Sequence, residues 1–284
     1  MQKGNKAAIV CCSNGQKPSY RHKLQLLAQV LRQIGLEPVF SDFIYARDES
    51  GSCGVVGERA AALMDFYKDP EISVIFDISG GDMANEILPY LDFQVIKDSE
   101  KQFWGYSDLT TILNEIYAKT GKPSVLYQIR NLIYDYKEKQ ISDFKNTVLE
   151  GKDDLYQFSC EFLQGDCLQG TVVGGNIRCL LKLAGTEYWP DMQDKVLLLE
   201  AMGGTVPKMV TYLSQLSQLG VFEQIRGILL GTFTEMEAAN VRPSMEELVR
   251  RYVSKDMPIV KTMEIGHGMD SKGIRIGEPL LLYS

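Results

Sequence analysis

The run Gln102-Phe103-Trp104-Gly105-Tyr106-Ser107-Asp108, continued by Leu109 to Lys119, decides the architecture. Gln102 to Tyr106 carries three aromatic residues and reads as a buried strand. Ser107 and Asp108 are residue types favoured where a helix begins. Leu109 to Lys119 has helical spacing, and Gly121 and Pro123 end it. A strand thus turns through a serine directly into a helix.

The same unit repeats upstream. Residues 7–12 form an apolar, strand-like run ending in Ser13-Asn14-Gly15. Leu24, Leu27, Val30, Leu31 and Ile34 then fall on one helical face, with Gly35 as the stop. Glu37 to Phe40 is the second strand, Glu58 to Tyr67 a helix stopped near Pro70, and Ser73 to Asp77 the third strand. Ser79-Gly80-Gly81 closes that strand, and Ile87 to Leu91 fits a short helix. Alternation of this kind predicts a parallel sheet with helices on both faces. Residues 135–165 are polar and weakly periodic, a linker region with some helix. Gly170 to Asn176 opens a second unit: helix 177–183, strand 195–199, helix 206–219, strand 227–233, helix 245–253 and a strand from Pro258. Residues 274–276 and 280–283 read as a closing hairpin. The expected division is an N-terminal α/β domain over 1–140, a linker region over 141–165 and a C-terminal domain over 166–284.

Composition narrows the function classes. The chain has 284 residues, 45% of them hydrophobic, enough for a full core. Its net charge of −7, with both signs interspersed, argues against nucleic acid as the partner. Lys3 and Lys6 precede an apolar run too short for a signal segment, and no stretch approaches the ~20 apolar residues of a membrane span. The cytoplasm is the expectation. The six cysteines form no Cys-x-x-Cys pair, and only two histidines exist, so no zinc ligand set appears. The cysteines read as reduced, mostly buried thiols.

Scarcity of histidine sharpens the search for a hydrolytic base. His22 opens an amphipathic helix, where a solvated residue is expected. His267 lies in Ile265-Gly266-His267-Gly268, whose glycines allow close approach to a ligand. Ser107 at a strand-to-helix turn projects its hydroxyl from the carboxyl end of the sheet, where ligands bind in open α/β folds. The helix start offers free amides, the Asp108 amide among them, to a developing oxyanion. Glu200 ends the run Val196-Leu197-Leu198-Leu199-Glu200 and could orient an imidazole. Each residue also has a plainer reading: a helix cap, an acid accepting loop amides, a histidine in a glycine turn. The order Ser…Glu…His is one used by serine hydrolases. Ser79-Gly80-Gly81-Asp82 lacks the Gly-x-Gly-x-x-Gly and Gly-Lys-Ser/Thr patterns, so it reads as a turn or an oxyanion loop rather than a nucleotide site.

Together these segments resemble the LD-carboxypeptidase family of serine peptidases, which includes murein tetrapeptide carboxypeptidases and microcin self-immunity peptidases. The resemblance is carried by Arg59-Ala60 with Asp69-Pro70, by Ile75 to Gly81, by Leu88-Pro89-Tyr90-Leu91-Asp92 and by Gly105-Tyr106-Ser107-Asp108-Leu109-Thr110. Gly174-Gly175-Asn176, Leu198-Leu199-Glu200 and Gly266-His267-Gly268 follow in the family's order. It implies a flavodoxin-like N-terminal domain, a smaller α/β C-terminal domain and a site between them. It implies Ser107 as nucleophile, Glu200 as orienting acid and His267 as base. Asp108 and Gly81 amides would form the oxyanion hole, with Gly80 and Asp82 against the substrate. No metal or other cofactor, a small peptide-like substrate and a homodimer are also implied. Gly80-Gly81-Asp82 with Asn85 is nearer the microcin-immunity branch than the Arg-Gly-Gly-Tyr-Gly type of the murein enzymes. Two segments depart from the family's pattern: Tyr127-Gln128-Ile129, where the family often has Tyr-Gly-Pro, and Ala201-Met202 after the acid. They motivate an alternative, a catalytically silent binding protein of the same fold. A cysteine-dependent amidotransferase-like site at Cys11 or Cys12 is a third reading.

Overall fold

A computed structural model describes residues 5–284; Lys3 lies outside them. Five strands, β1 (Lys6–Val10), β2 (Glu37–Phe40), β3 (Ile72–Asp77), β4 (Gln102–Gly105) and β5 (Ser124–Leu126), lie parallel in the order 2-1-3-4-5. This is the flavodoxin-like doubly wound order, with its switch point between β1 and β3.

The period-2 alternation of β1 divides the core. Ala7, Ile9 and Cys11 face one way, in the same cluster as Leu24, Leu27 and Leu31 of α1 (Arg21–Gln33). Ala8, Val10 and Cys12 face the other way. Their cluster includes Ala60, Leu63 and Met64 of α2 (Val56–Lys68). A strand covered on both faces has to be apolar throughout, which is why it reads as a continuous run. A short helix, α3 (Phe93–Asp98), follows β3.

A second six-stranded sheet holds β6 (Glu161–Gln164), β7 (Cys167–Asn176), β8 (Lys195–Ala201), β9 (Gly227–Phe233), β10 (Ile259–Lys261) and β12 (Pro279–Tyr283). Strands β7 to β10 are mutually parallel; β6 and β12 are antiparallel edges. The helix after Ser107, α4 (Thr110–Thr120), packs between the sheets. Ile112, Leu113 and Ile116 share a cluster with Val172, Leu198 and Leu229. Asn114 of α4 bonds both backbone groups of Gly174: Nδ2 donates to its oxygen at 2.9 Å, and Oδ1 accepts from its amide at 2.7 Å. The second sheet is thereby fixed against the helix that follows Ser107.

The expected closing hairpin does not form. Strand β11 (Ile274–Ile276) pairs antiparallel with β5 of the first sheet, whereas β12 pairs with β7 of the second. Gly277, at φ +89°, turns the chain from one sheet to the other and donates its amide to the Val172 oxygen at 2.8 Å. A Cβ there would meet the Tyr117 ring at 2.5 Å, so the crossing requires glycine. Two short apolar runs separated by a turn suit a hairpin, but two open sheet edges offered each run a better partner.

Other boundaries move less. The segment 135–165 contains α5 (Lys137–Val148) and the edge strand β6. The helix expected at 245–253 ends at Val249, and that at 177–183 is α6 (Ile177–Leu180) followed by a 3₁₀ turn. Strand β8 extends to Ala201, so Glu200 lies inside it. No helix among the described residues is long and apolar enough to cross a membrane.

Candidate active site

Ser107 stands at the carboxyl end of β4 with φ +57°, a left-handed conformation that a serine adopts at a cost. The turn is tight because Gly105 leaves room for it. A Cβ on Gly105 would lie 2.7 Å from the Leu109 Cβ. Leu109, the residue that distinguishes this turn from Gly-x-Ser-x-Gly, is fully buried and seals the strand-to-helix step.

Glu200 comes from the second sheet. It is 1% exposed, flanked by Asn176 on β7 and by Gly231 on β9, where a Cβ would press to 3.1 Å from its own Cβ. His267 lies on the loop after β10. Gly266 brings that loop against β9: any Cβ there would meet Thr232 Oγ1 at 2.1 Å. Thr232 also donates its amide to the Ile265 oxygen at 2.8 Å. These anchors bring His267 Nδ1 to 2.6 Å from Glu200 Oε2 and His267 Nε2 to 3.0 Å from Ser107 Oγ. The other Glu200 oxygen is buried without a hydrogen-bond partner. Residues 67 and 160 positions from His267 in sequence therefore meet it in one hydrogen-bonded line. His22 takes no part; it is exposed on α1 beside the Ser19 oxygen.

The Gly80-Gly81-Asp82 loop faces this line. A Cβ on Gly80 would lie 4.0 Å from the Ser107 Cβ. Gly81 has φ +122°, and a Cβ there would strike Asn14 Oδ1 at 2.1 Å. Asn14 Oδ1 also accepts the Asp82 amide at 2.7 Å. The Asp82 carboxylate does not stand free: it is paired with Arg178, which also donates to the Gly81 oxygen at 2.9 Å. The Asp108 side chain is fully buried and turned away from Ser107. It accepts from Ser13 Oγ at 2.6 Å, from the Ala84 amide at 2.8 Å and from Lys182. Lys182 in addition donates to the Asp82 oxygen at 2.8 Å. Arg178 and Lys182, four residues apart, thus hold both Ser107-facing turns from the second sheet's side.

Ser13, Asn14, Arg178, Lys182 and Tyr106 were not singled out from sequence. Ser13 and Asn14 carried a signal in their position: they lie on the loop after β1 beside the switch point, where ligand sites gather. The two basic residues carried none beyond their helical spacing. Tyr106 packs its ring 5.0 Å from the His267 ring, and burial pushes its hydroxyl pKa up.

Cys11 and Cys12 are buried. A hydrogen bond with Cys53 and burial push the Cys11 thiol well up, and burial does the same to Cys12. Neither is a thiolate at a strand-to-helix turn, which removes the cysteine-dependent alternative.

A serine in a strained turn, bonded to a histidine that is bonded to a buried carboxylate, is the arrangement of serine hydrolases. The chain belongs to the LD-carboxypeptidase family: the family's N-terminal domain matches residues 7–127 and its C-terminal domain residues 169–282. A protein of Treponema pallidum (strain Nichols) is 30% identical over 261 residues, 83% of this chain and 77% of its own. The microcin C7 self-immunity protein MccF of Escherichia coli is 27% identical over 248 residues, covering 75% of this chain and 72% of its own. Among solved structures, wild-type apo MccF superposes with a TM-score of 0.86 at 20% identity, over 99% of this chain and 93% of that one. A muramoyltetrapeptide carboxypeptidase from Oxalobacter formigenes gives 0.81 at 22%, over 98% and 95%. Both structures share the two-sheet fold.

Proposed function

We propose that the chain is a serine carboxypeptidase acting on a small peptide through Ser107, His267 and Glu200. The observation that carries the reading is the continuous line Ser107 Oγ, His267 Nε2, His267 Nδ1, Glu200 Oε2, at 3.0 and 2.6 Å. In this reading His267 takes the Ser107 proton as the hydroxyl oxygen attacks the scissile carbonyl carbon. The carbonyl oxygen becomes an oxyanion and is held by the amides of Asp108 and Gly81. His267 then gives its proton to the leaving amine, the C–N bond breaks, and an acyl ester remains on Ser107. Water, deprotonated by His267, hydrolyses that ester. Glu200 fixes the imidazole and opposes its positive charge. Gly80 and Asp82 form the wall facing the substrate. Dimerisation is part of the same proposal and rests on the family resemblance.

A murein-type peptide is the first substrate reading, supported by the muramoyltetrapeptide carboxypeptidase among the structural neighbours. The second reading is a peptide joined to a nucleotide. It is supported by MccF, solved with aspartyl sulfamoyl adenosine and with glutamyl sulfamoyl guanosine. The test is D-alanine release from a murein tetrapeptide, run beside an acyl-adenylate peptide and a Ser107→Ala control. Release only by the unmodified protein supports the carboxypeptidase. Cleavage of the adenylate peptide alone moves the reading to the immunity type. Cleavage of neither, with peptide binding retained, favours the silent binding protein.

A further inference from the structure

Arg130 is a cation beside the site with no anion to match it. Arg178 and Lys182 are neutralised by Asp82 and Asp108. Arg130 forms no salt bridge among the described residues. Its Nη1 donates to Gln16 Oε1 at 3.3 Å and its Nη2 to Gln128 Oε1 at 3.1 Å; both acceptors are neutral amides. Its Nε is buried with no acceptor. A partly buried guanidinium without a counter-charge is costly unless a ligand completes it.

The position of Arg130 says which ligand group that is. Its guanidinium carbon lies 6.0 Å from the centre of the Tyr106 ring, and that ring lies 5.0 Å from the His267 ring. Asn131, the next residue, donates to the Gly268 oxygen at 3.4 Å, tying this segment to the loop that carries His267. Arg130 therefore stands on the histidine's side of Ser107, where the leaving amine receives its proton. In a carboxypeptidase substrate that amine and the terminal carboxylate belong to one residue, and span about 3–4 Å. With a hydrogen bond of about 3 Å at each end, imidazole and guanidinium nitrogens should stand within roughly 10 Å of each other. The separations of 6.0 Å from the guanidinium carbon to the Tyr106 ring and 5.0 Å from that ring to the His267 ring set an upper limit of about that size on the span. The two glutamine carbonyls hold the guanidinium plane and leave part of its fork free to meet a carboxylate. Gln128, which orients Arg130, sits in the Tyr127-Gln128-Ile129 segment that departs from the family's pattern.

We propose that Arg130 receives the C-terminal carboxylate of the substrate and so makes the site selective for a terminal residue. The proposal rests on the carboxypeptidase reading of Ser107 and His267. Its test is calorimetric binding to the full chain carrying Ser107→Ala, which does not require turnover. The probes are a tetrapeptide ending in D-alanine as the free acid and the same peptide as its C-terminal amide. The amide should bind about 10- to 100-fold more weakly than the acid. Arg130→Gln should weaken the acid by about that factor and leave the amide within roughly threefold. Thermal melting of each variant checks that it is folded. Equal loss for both probes, loss for neither, or no binding of the acid with Arg130 present would overturn the proposal. Fluorophosphonate labelling of Ser107 in the unmodified protein tests the underlying reading separately. Labelling without acid-over-amide discrimination removes the role of Arg130 and leaves the serine mechanism standing.

Discussion

Glu200→Gln isolates the charge of the carboxylate from its shape. The Glu200 side chain is sealed from solvent, with Oε2 2.6 Å from His267 Nδ1. In the proposed mechanism His267 takes the Ser107 proton, and a positive imidazolium forms against this negative group, with charge centres about 4 Å apart. At an effective dielectric near 20, two such charges attract by about 4 kcal/mol. A glutamine oxygen can still accept from Nδ1, so part of the stabilisation survives and about 3 kcal/mol is lost. That corresponds to a fall in kcat of roughly 100- to 1,000-fold. KM should change little, because Glu200 lies behind the histidine rather than against substrate. The assay is the initial rate of D-alanine release as substrate concentration varies. Stability should hold or rise, since one Glu200 oxygen already lacks a partner and removing the charge relieves its burial. A loss of less than about 10-fold in kcat, or one expressed only in KM, would refute the electrostatic role.

Three other perturbations probe the surroundings. Gly81→Ala places a Cβ against Asn14 Oδ1 at a backbone angle suited to glycine, which shifts the Gly81 amide; kcat should fall by about 100-fold or more with the melting curve only modestly lowered. Unchanged kcat would show that this amide is not used. Lys182→Ala leaves the buried Asp108 without its cation and should cost about 3 kcal/mol in urea unfolding; a cost below about 1 kcal/mol would contradict the buried-pair argument. Glu115, in the middle of α4, is fully buried with neither carboxylate oxygen hydrogen-bonded and Lys119 Nζ 3.8 Å away, and burial, only partly offset by that lysine, pushes its pKa up from 4.5 to about 7. The folded protein then keeps a proton that the unfolded chain releases near pH 4.5, so this residue's contribution falls as pH rises from about 4.5 to about 7. Glu115→Gln should remove that slope and raise stability at pH 8 by roughly 2–3 kcal/mol. Identical pH dependence in both proteins, measured by urea unfolding at pH 5 and pH 8, would count against it.

What could be read from the chain followed local rules. Continuous apolar runs gave β1 and β3, and helical spacing with Gly35 and Gly121 behind it gave α1 and α4, because those signals lie within about a dozen residues. That Ser107, Glu200 and His267 could meet was legible for a different reason: each ends or follows an apolar strand in a chain with only two histidines. The failures were long-range choices. Whether Ile274 to Ile276 pairs with its neighbour in sequence or with β5 depends on which sheet edges remain open, and no local pattern records that. Glu161 to Gln164 is a short, half-exposed edge strand in a polar segment, so its alternation is weak. Arg178, Lys182 and Arg130 looked like ordinary surface cations. Their meaning comes from the carboxylates, or the lack of one, that folding brings beside them. Asp82 likewise gives no local sign that folding pairs its carboxylate with Arg178.

The central claim is that Ser107 is a nucleophile activated by His267. The most direct measurement is labelling with a fluorophosphonate, followed by digestion and mass spectrometry of the modified peptide. One adduct is expected, on Ser107, lost in Ser107→Ala and formed at least about 100-fold more slowly in His267→Ala. An unlabelled Ser107, an adduct on another residue, or a labelling rate indifferent to His267 would contradict it.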